Sequence, residues 1–376
     1  PAFDHAPSMA DSPPNFDQRD VDRPRGLARD AGAYEGCATF PLSASNHASL
    51  AAAVECFNDL TASGAYTIEV TADMVVDLPG IVIDNPRPYT GLRIDGNDHE
   101  IVLQPPVLTV ATDANVIVDD VLIKNFGTGT EGGGIHNSGT LTVRGSDVSG
   151  TAAEGGGVWN DGAVAIEASV LGGTATGAGG GLWNGGTAEV RRSTVQGATA
   201  PDGGGIANTH TLRVVESTIG DFNAHNSADG DGGGIHNTGH LTVEQSAFMY
   251  NDADVGGAIA SDDGTAIIVN SSFWANTATT AGGAIANRDG VMTVSFSTVA
   301  QNVAPLGSEV ASRGASVAQT TIEASIVQGV FGHGLDLFDG ATDSFQSGGF
   351  NVIQTIGSGG GEFSADGTSD VGTGTL

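Results

Sequence analysis

The chain has 376 residues, of which 58 are glycine and only 6% are aromatic. This composition can fill a long, thin core but not a wide globular one, and it indicates a single repetitive domain. The 44 acidic and 13 basic residues give a formal net charge of −31. Such a charge repels nucleic acid and anionic membranes, and no apolar stretch is long enough to span a bilayer. We therefore expect neither a nucleic-acid partner nor membrane insertion.

Residues 1–36 differ from the rest, because they hold five prolines and four of the thirteen basic residues. This predicts an extended N-terminal arm rather than a helix or a core strand. The chain starts with PAFDHAPS, without Met or a signal peptide, so we expect a processed product or a fragment of something longer. Its two cysteines, Cys37 and Cys56, predict one disulfide in an oxidising compartment, and two free buried thiols are the alternative.

One good helix candidate follows, from about Ala48 to Asn58. Either Asn46 or Ser45 can cap it, and an apolar face is formed by Leu50, Val54 and Phe57. A short amphipathic helix at the start of a solenoid is suited to cover the open end of the first coil. Irregular strand-like segments lead from this helix to the repeats.

From Gly132 onward one phrase recurs eight times, first as GGGIHN and finally as GSEVAS. Successive starts are 23, 24, 24, 29, 24, 26 and 25 residues apart. After each phrase comes a short segment rich in Val, Ile and Thr with period-2 alternation, bounded by Gly, Asn and Asp turns. No repeat holds a helix-length pattern of period 3.6, which excludes leucine-rich and helical repeats. We therefore predict an all-β fold, a parallel β-helix with one coil per repeat.

The glycines of the phrase suit a tight corner that needs positive φ or close backbone approach. A phosphate-binding loop is the weak alternative, since no G-x-G-x-x-G opens a helix and no G-K-[ST] occurs.

Stacking the coils predicts which side chains form columns. Two buried columns contain Ile135, Val158, Leu182, Ile206, Ile235, Ile259, Ile285 and Val310, then Val143, Ile166, Val190, Val214, Val243, Ile268, Val294 and Ile322. An amide ladder is expected two residues after the first column, at Asn137, Asn160, Asn184, Asn208, Asn237 and Asn287, with Ser261 and Ser312 at two positions. A further column contains only serine: Ser146, Ser169, Ser193, Ser217, Ser246, Ser271, Ser297 and Ser325. Eight equivalent serines indicate a structural ladder rather than one catalytic nucleophile.

An outward position precedes each asparagine of the ladder. There His136, Trp159 and Trp183 are expected to form an exposed aromatic stripe that stacks on sugar rings or seats a partner strand. Cover by the chain's own loops is the alternative.

Charged residues alternate in a neighbouring outward column, where Arg144, Glu167 and Arg191 are expected to form a salt-bridge ladder. A polysaccharide lyase or hydrolase would instead need acidic residues converging on a groove near Arg144, Arg191 or Arg213. Because no aspartate column stands beside these arginines, we do not expect an enzyme.

Acidic turns are the candidates for a cofactor, which would be Ca²⁺. The aspartates concerned are Asp229, Asp231, Asp252, Asp254, Asp262 and Asp263. None has the spacing of an EF-hand or of a nonapeptide calcium repeat, which favours solvated turns and no cofactor.

Two resemblances can be stated. The GGA[IL] phrase with F-x-x-N, at Phe248–Asn251 and Phe273–Asn276, resembles the polymorphic outer-membrane protein repeats of bacterial surface passengers and adhesins. The order SLAAAVECF, GGFNVIQ, VGTGTL resembles bacterial secreted right-handed parallel β-helix proteins of the CSLREA-domain type. The closing element of that family is similar here to residues 1–35, as PAFDHA, DQRDVDRPRG and RDAGAYE. The resemblance implies a right-handed β-helix and an extracellular or cell-surface location.

The displaced closing element leads to a functional hypothesis. Residues 1–36 would complete the β-helix, residues 37–376, of a neighbouring unit, with assembly contacts from Phe3, Phe16, Asp17, Arg19, Arg25 and Tyr34. The chain would then be a structural subunit of an extracellular filament, a head-to-tail homopolymer or a covalent tandem array. A glycan-binding adhesin and a polysaccharide lyase or hydrolase are the alternatives.

Overall fold

The computed structural model describes residues 40–76, 80–87, 89–103, 108–313, 318–329, 335–338 and 344–353. Over these residues the chain is an all-β parallel solenoid of about 11 turns with a single short helix. The predicted fold class is confirmed, while the right-handed sense remains a prediction from the resemblance. Within the described ranges, no helix combines the length and the apolar character that crossing a bilayer requires.

Three parallel sheets run the length of the solenoid. The first contains Leu42–Ala44, Gly64–Val70, Thr90–Asp95, Asn115–Asp119, Thr140–Arg144, Ala163–Glu167, Thr187–Arg191, Thr211–Val215, His240–Glu244, Thr265–Val269, Val291–Ser295, Gln319–Glu323 and Ser344–Gly349. The second contains Ile81–Ile83, Leu108–Val110, Ile135–Asn137, Val158–Asn160, Leu182–Asn184, Ile206–Asn208, Ile235–Asn237, Ile259–Asp262, Ile285–Arg288, Val310–Arg313 and Leu335–Phe338. The third contains Met74–Val76, Glu100–Leu103, Leu122–Glu131, Asp147–Glu154, Val170–Ala178, Thr194–Ala200, Thr218–Ile219, Ala247–Met249, Ser272–Trp274, Thr298–Ala300, Ile326–Gln328 and Val352–Ile353, joined by Asn226–Ala228, Asn251–Val255 and Thr277–Ala281.

The core lies between the three sheets and is filled by the residues that the period-2 pattern selects. All sixteen residues of the two predicted apolar columns are fully buried, at 0% exposure. The pairing register also follows the repeat, since Ile135 lies opposite Val158 and Val158 opposite Leu182. Each coil therefore buries its apolar side chains against its two neighbours.

The glycine phrase forms the corner that leads into the second sheet. Its first glycine has positive φ in all eight repeats, between 53° and 70°. At the next position the chains approach closely, since a Cβ on Gly133 would lie 2.1 Å from the carbonyl oxygen of Gly156. Both predicted reasons for glycine are thus confirmed.

A helix covers the first coil, as predicted. It spans His47–Asn58, and the side chain of Asn46 caps it by accepting a hydrogen bond from the Ser49 amide. Its apolar face, including Leu50 and Phe57, is buried in the core. On the same helix Cys56 is disulfide-bonded. Its predicted partner Cys37 lies outside the described residues.

Candidate functional site

The predicted amide ladder lies inside the solenoid. Each Nδ2 donates to the next coil's Oδ1: Asn137 to Asn160 at 2.6 Å, Asn160 to Asn184, Asn184 to Asn208 and Asn208 to Asn237, each at 2.7 Å. All five side chains are at most 1% exposed. This column is therefore structural and offers nothing to a ligand.

The ladder of asparagines ends at its sixth coil, where the position is occupied by Ser261. Asn237 donates to the Ser261 hydroxyl at 3.0 Å, and Asn287 donates onward to Thr320 Oγ1 at 3.0 Å. Among the described residues, Asn287 Oδ1 is buried without a hydrogen-bond partner. Serine at position 261 is too short to reach it, which interrupts the column.

The serine column is also internal. Seven of the eight serine amides donate to the hydroxyl of the next coil's serine, as Ser146 does to Ser169 at 3.1 Å, and the last, on Ser325, donates to Asn351 Oδ1. The hydroxyl donates to a carbonyl two residues earlier, as Ser169 Oγ does to Glu167 at 2.8 Å. Both capacities of these buried hydroxyls are used in the ladder, which fits the structural interpretation.

The aromatic stripe is largely covered, and its predicted exposure is wrong for Trp159. Trp159 is only 9% exposed, because His136 packs on it with ring centroids 4.4 Å apart and Trp183 stacks on it at 5.0 Å. The ring of Trp183 lies over Gly185, where a Cβ would meet it at 2.5 Å. The chain's own residues therefore occupy these ring faces.

The predicted charge ladder between Arg144, Glu167 and Arg191 is also wrong. Arg144 pairs with Asp119 of the preceding coil at 2.5 Å, and Glu167 pairs with Arg192. Arg144, by hydrogen bonding, and then Arg93 hold the pKa of Asp119 below its usual value, against the effect of burial. Arg144 thus uses the carboxylate directly opposite it on the preceding coil, whereas Glu167 pairs with Arg192, the neighbour of the residue opposite it.

Four of the six aspartates proposed for Ca²⁺ do not share a site. Asp252 pairs with His225 at 2.9 Å, and Asp254 accepts hydrogen bonds from Thr279 and Thr280. Asp229 and Asp263 are exposed turn residues.

The remaining two aspartates meet in a cluster of four side chains, Asp231, His236, Asp262 and Arg288. His236 Nε2 lies 2.9 Å from Asp262 Oδ2, and Arg288 Nε donates to Asp262 Oδ1 at 2.5 Å. The terminal guanidinium nitrogen of Arg288 also donates to both Asp231 and Asp262.

Neighbouring strands of the second sheet bring the four groups together. His236 lies in register with the small Ala260 of the next coil. This leaves room for the imidazole to reach Asp262, which is on the same strand as Ala260. Asp262 lies directly opposite Arg288, and Asp231 enters from the turn before the glycine corner. All four side chains are between 17% and 28% exposed, so the cluster reaches solvent.

The pKa values of the two carboxyls of the cluster are shifted in opposite directions. Burial, with the charge of Asp262 beside it, raises the pKa of Asp231 against the opposing effect of Arg288. Burial also opposes ionisation of Asp262, but hydrogen bonds from His236 and Arg288 bring its pKa below the usual value. The pKa of His236 is raised, because Asp262 outweighs the effect of burial. The pKa of one carboxyl is thus shifted upward and that of its neighbour downward.

These groups contain the ligand set of a metal site. The donor atoms of Asp231, His236 and Asp262 lie within 4.8 Å of one another. An imidazole with two carboxylates suits Zn²⁺ or Mn²⁺ better than Ca²⁺, which prefers oxygen ligands only. Arg288, however, already bridges both carboxylates and supplies the positive charge, so the group is arranged as an ion-pair network.

Sequence reasoning missed two further groups. A second buried amide column contains Asn226, Asn251, Asn276 and Asn302; the F-x-x-N motif was its signal. An exposed aromatic cluster contains Phe222, His225, Tyr250 and Trp274. Its signal was the 29-residue spacing between Gly203 and Gly232, which marks an insertion.

Comparison with known proteins shows the fold alone. No protein-family model and no curated protein matches the chain. Among solved structures, the Dettilon tailspike protein is similar with a TM-score of 0.51 at 11% identity, over 83% of this chain and 63% of the tailspike chain. The chain thus spans less than two thirds of that protein. The SRRP of L. reuters 100-23 aligns with a TM-score of 0.35 at 13% identity over 83% of this chain and 97% of its own. The A-module of the Azotobacter vinelandii mannuronan C-5 epimerase AlgE6 aligns with a TM-score of 0.37 at 12% identity, over 82% of this chain and 90% of its own.

Proposed function

We propose that the chain is a structural subunit of an extracellular fibre, assembled head to tail. The observation that carries this proposal is that the first coil is already covered by its own helix, while residues 1–35, which precede that helix, resemble a closing element. The helix His47–Asn58 buries its apolar face against the first coils. At the other end the last described strands of the three sheets are Leu335–Phe338, Ser344–Gly349 and Val352–Ile353.

Sheet ends with unpaired N–H and C=O groups favour strand addition. In this proposal the arm, residues 1–36, supplies the added segment to the preceding subunit, as its similarity to the closing element of CSLREA-type proteins suggests. A contact between two different surfaces does not close on itself, so it propagates as a filament. A covalent tandem array would use the same contact.

One property supports a location outside the cell, and a second supports a structural role. Cys56 is disulfide-bonded, and stable disulfides belong to oxidising compartments. The inner columns are held by hydrogen-bonded amides and hydroxyls on successive coils, which favours a rigid rod over a mobile catalytic fold.

The test is electron microscopy of the purified full chain with and without residues 1–35. The full chain should form fibres, and the truncated chain should remain a folded, dispersed particle with an unchanged β-type circular dichroism spectrum. A synthetic peptide of residues 1–36 should block growth of the full-length fibre by occupying the acceptor end. The matched control is the same peptide with Phe3, Phe16 and Tyr34 replaced by alanine. Fibres that persist after truncation, or a full chain that stays monomeric, would contradict the proposal.

Catalysis on a polysaccharide is the second candidate, favoured by the opposite pKa shifts of Asp231 and Asp262. A carboxyl whose pKa is raised beside one whose pKa is lowered is the arrangement that general acid–base chemistry uses. Hydrolysis would release reducing ends and a lyase would generate unsaturated products absorbing in the ultraviolet. Product formation that is lost in Asp262→Asn, with the fold retained, would establish this function in place of a purely structural one.

A further inference from the structure

An exposed aromatic cluster begins at the insertion in the longest repeat. The inserted loop, closed by a bridge between Asp221 and Ala224, places Phe222 edge-on against Tyr250 with ring centroids 5.1 Å apart. Tyr250 in turn meets Trp274 of the next coil at 5.1 Å. Phe222 is 63% exposed and Trp274 is 42% exposed. Aromatic rings thus remain accessible on consecutive coils, unlike the covered stripe at Trp159.

Polar contacts fix these rings in place. His225 stacks on Tyr250, and its two nitrogens lie 2.9 Å from an Asp252 oxygen and 3.0 Å from the Phe222 carbonyl. The indole nitrogen of Trp274 donates to Gln301 Oε1 at 2.6 Å. The cluster is therefore organised before any ligand arrives, which lowers the entropic cost of binding.

A polar groove follows the opposite border of the same strands. Its volume is about 370 Å³. The side chains that matter are Glu216, Gln245, Asn270, Ser272, Phe296 and Thr298. Glu216, Gln245, Asn270 and Phe296 occupy the same left-handed corner on successive coils, with φ between 49° and 51°, so their side chains project in one row.

The groove and the aromatic cluster are two borders of one face. Ala247 and Ser272 lie in the groove, and Met249 and Trp274 follow two residues later on the same strands. Two residues of strand span about 7 Å, and residues i and i+2 share a face. Phe248 and Phe273, between them, point into the core. The floor of the face is formed by small or unbranched side chains.

From this face we infer a binding site for a neutral oligosaccharide. A pyranose offers an apolar ring face, which suits Trp274 and Phe222, and hydroxyls, which suit the amides of Gln245 and Asn270. No lysine or arginine lines the groove or belongs to the aromatic cluster, Arg191 beside the groove is paired with Glu216 at 3.8 Å, and Asp252 stands at the aromatic border. Together with a net charge of −31, this disfavours uronate or sulfated polymers. A protein partner that docked here through a purely apolar surface would leave the amides of the groove without hydrogen-bond partners.

The test is affinity electrophoresis of the full chain in gels that contain galactomannan, soluble starch or laminarin, with alginate as the anionic polymer. At least one neutral polysaccharide should retard the protein, and alginate should not. Trp274→Ala and Asn270→Ala should each weaken retardation about tenfold or more, the loss typical of a central contact. The matched control is Phe126→Ala, which removes another exposed aromatic of the third sheet, 77% accessible, outside this face.

Four results would overturn the inference: no retardation by any of the three neutral polymers, retardation by alginate only, equal retardation of Trp274→Ala and wild type, or an effect of Trp274→Ala on self-association alone. Circular dichroism of each variant shows whether the fold is kept. The inference does not depend on fibre formation. A monomer that binds a neutral glycan would confirm the binding site and would contradict only the proposed filament.

Discussion

The two amide columns each pair buried polar groups on successive coils, at two different corners of the solenoid, but they end in different ways. The first, which starts at Asn137, stops at Ser261 and leaves the next amide oxygen, on Asn287, unpaired among the described residues. The second, which starts at Asn226, runs to Asn302 and ends on the carboxyl group of Glu309.

Glu309 takes the place of a further asparagine. The backbone amide and the Nδ2 of Asn276 both donate to Asn302 Oδ1, and the same two groups of Asn302 donate to the Glu309 carboxyl. Glu309 stands where the phrase has Gly134 in its first repeat, so its side chain enters the core. What a rung requires is thus an acceptor for two donors, and a buried carboxyl can supply it.

Burial makes that substitute sensitive to pH, which gives the largest expected difference between the columns. Glu309 is 0% exposed, and burial raises its pKa from 4.5 to about 8, against the hydrogen bonds of Asn302. The unfolded chain releases this proton near pH 4.5, whereas the folded chain holds it to about pH 8. Over that interval stability should fall as pH rises, by about 1.4 kcal/mol per pH unit from this group, and it should be constant outside it.

Glu309→Gln should remove that dependence. The variant should resemble the wild type below pH 5 and unfold at a higher denaturant concentration or temperature above pH 8. The exposed Glu216→Gln is the matched control and should leave the pH profile as it was. A wild-type and a Glu309→Gln profile that run parallel from pH 5 to pH 8.5 would show that the carboxyl does not carry the effect.

Interior rungs of the two columns should cost about the same to remove. Asn184→Leu and Asn276→Leu each leave donors and acceptors of adjacent coils unpaired, which should lower the free energy of unfolding by about 1 to 3 kcal/mol. Asn287→Leu should cost less, because one of its polar atoms is already without a partner among the described residues.

Chemical denaturation of the three variants, with the exposed Asn223→Leu as control, measures this order. An Asn184→Leu protein that unfolds like the wild type would mean that the first column does not stabilise the fold. A larger loss in Asn287→Leu than in Asn184→Leu would contradict the assigned end of the ladder.

This contrast also shows how far the sequence could lead. The first column repeats beside the glycine phrase in register with buried Ile and Val, so a period of about 24 residues was enough to find Asn137 and its partners. The second column begins only after the insertion that holds Phe222, and its last rung is a glutamate, so the asparagine of the F-x-x-N motif marks only part of it. The cluster around Arg288 depends on side chains that reach across coils, as do the ion pairs of Arg144. Such contacts follow from rotamers and local space, which repeat spacing does not specify.

The Arg288 cluster should show an effect no larger than that of the columns, because its side chains reach solvent. Arg288→Gln leaves Asp231 and Asp262 without their shared cation and should destabilise the fold by about 1 to 3 kcal/mol. The same change frees the donor atoms of Asp231, His236 and Asp262 for a metal. We expect Zn²⁺ or Mn²⁺ to raise the melting temperature of Arg288→Gln but not that of the wild type or of Arg213→Gln. A wild-type protein that is stabilised as strongly as the variant would show that the guanidinium does not close the site.

The smallest effect should come from restoring the missing rung of the first column. Ser261 lies in register with Asn237 on one side and Asn287 on the other, and the preceding rungs already hold an asparagine in the same surroundings. In Ser261→Asn the new amide can accept from Asn237 and donate to the unpaired Asn287 oxygen. A net gain of one hydrogen bond with no polar group left over is worth about 0.5 to 1.5 kcal/mol. The melting temperature should therefore rise, whereas the same change at the half-buried Ser138, outside the column, should not raise it. A lower melting temperature for Ser261→Asn would mean that the sixth coil lacks room for the amide, and that the column ends there because of packing rather than because of a missing partner.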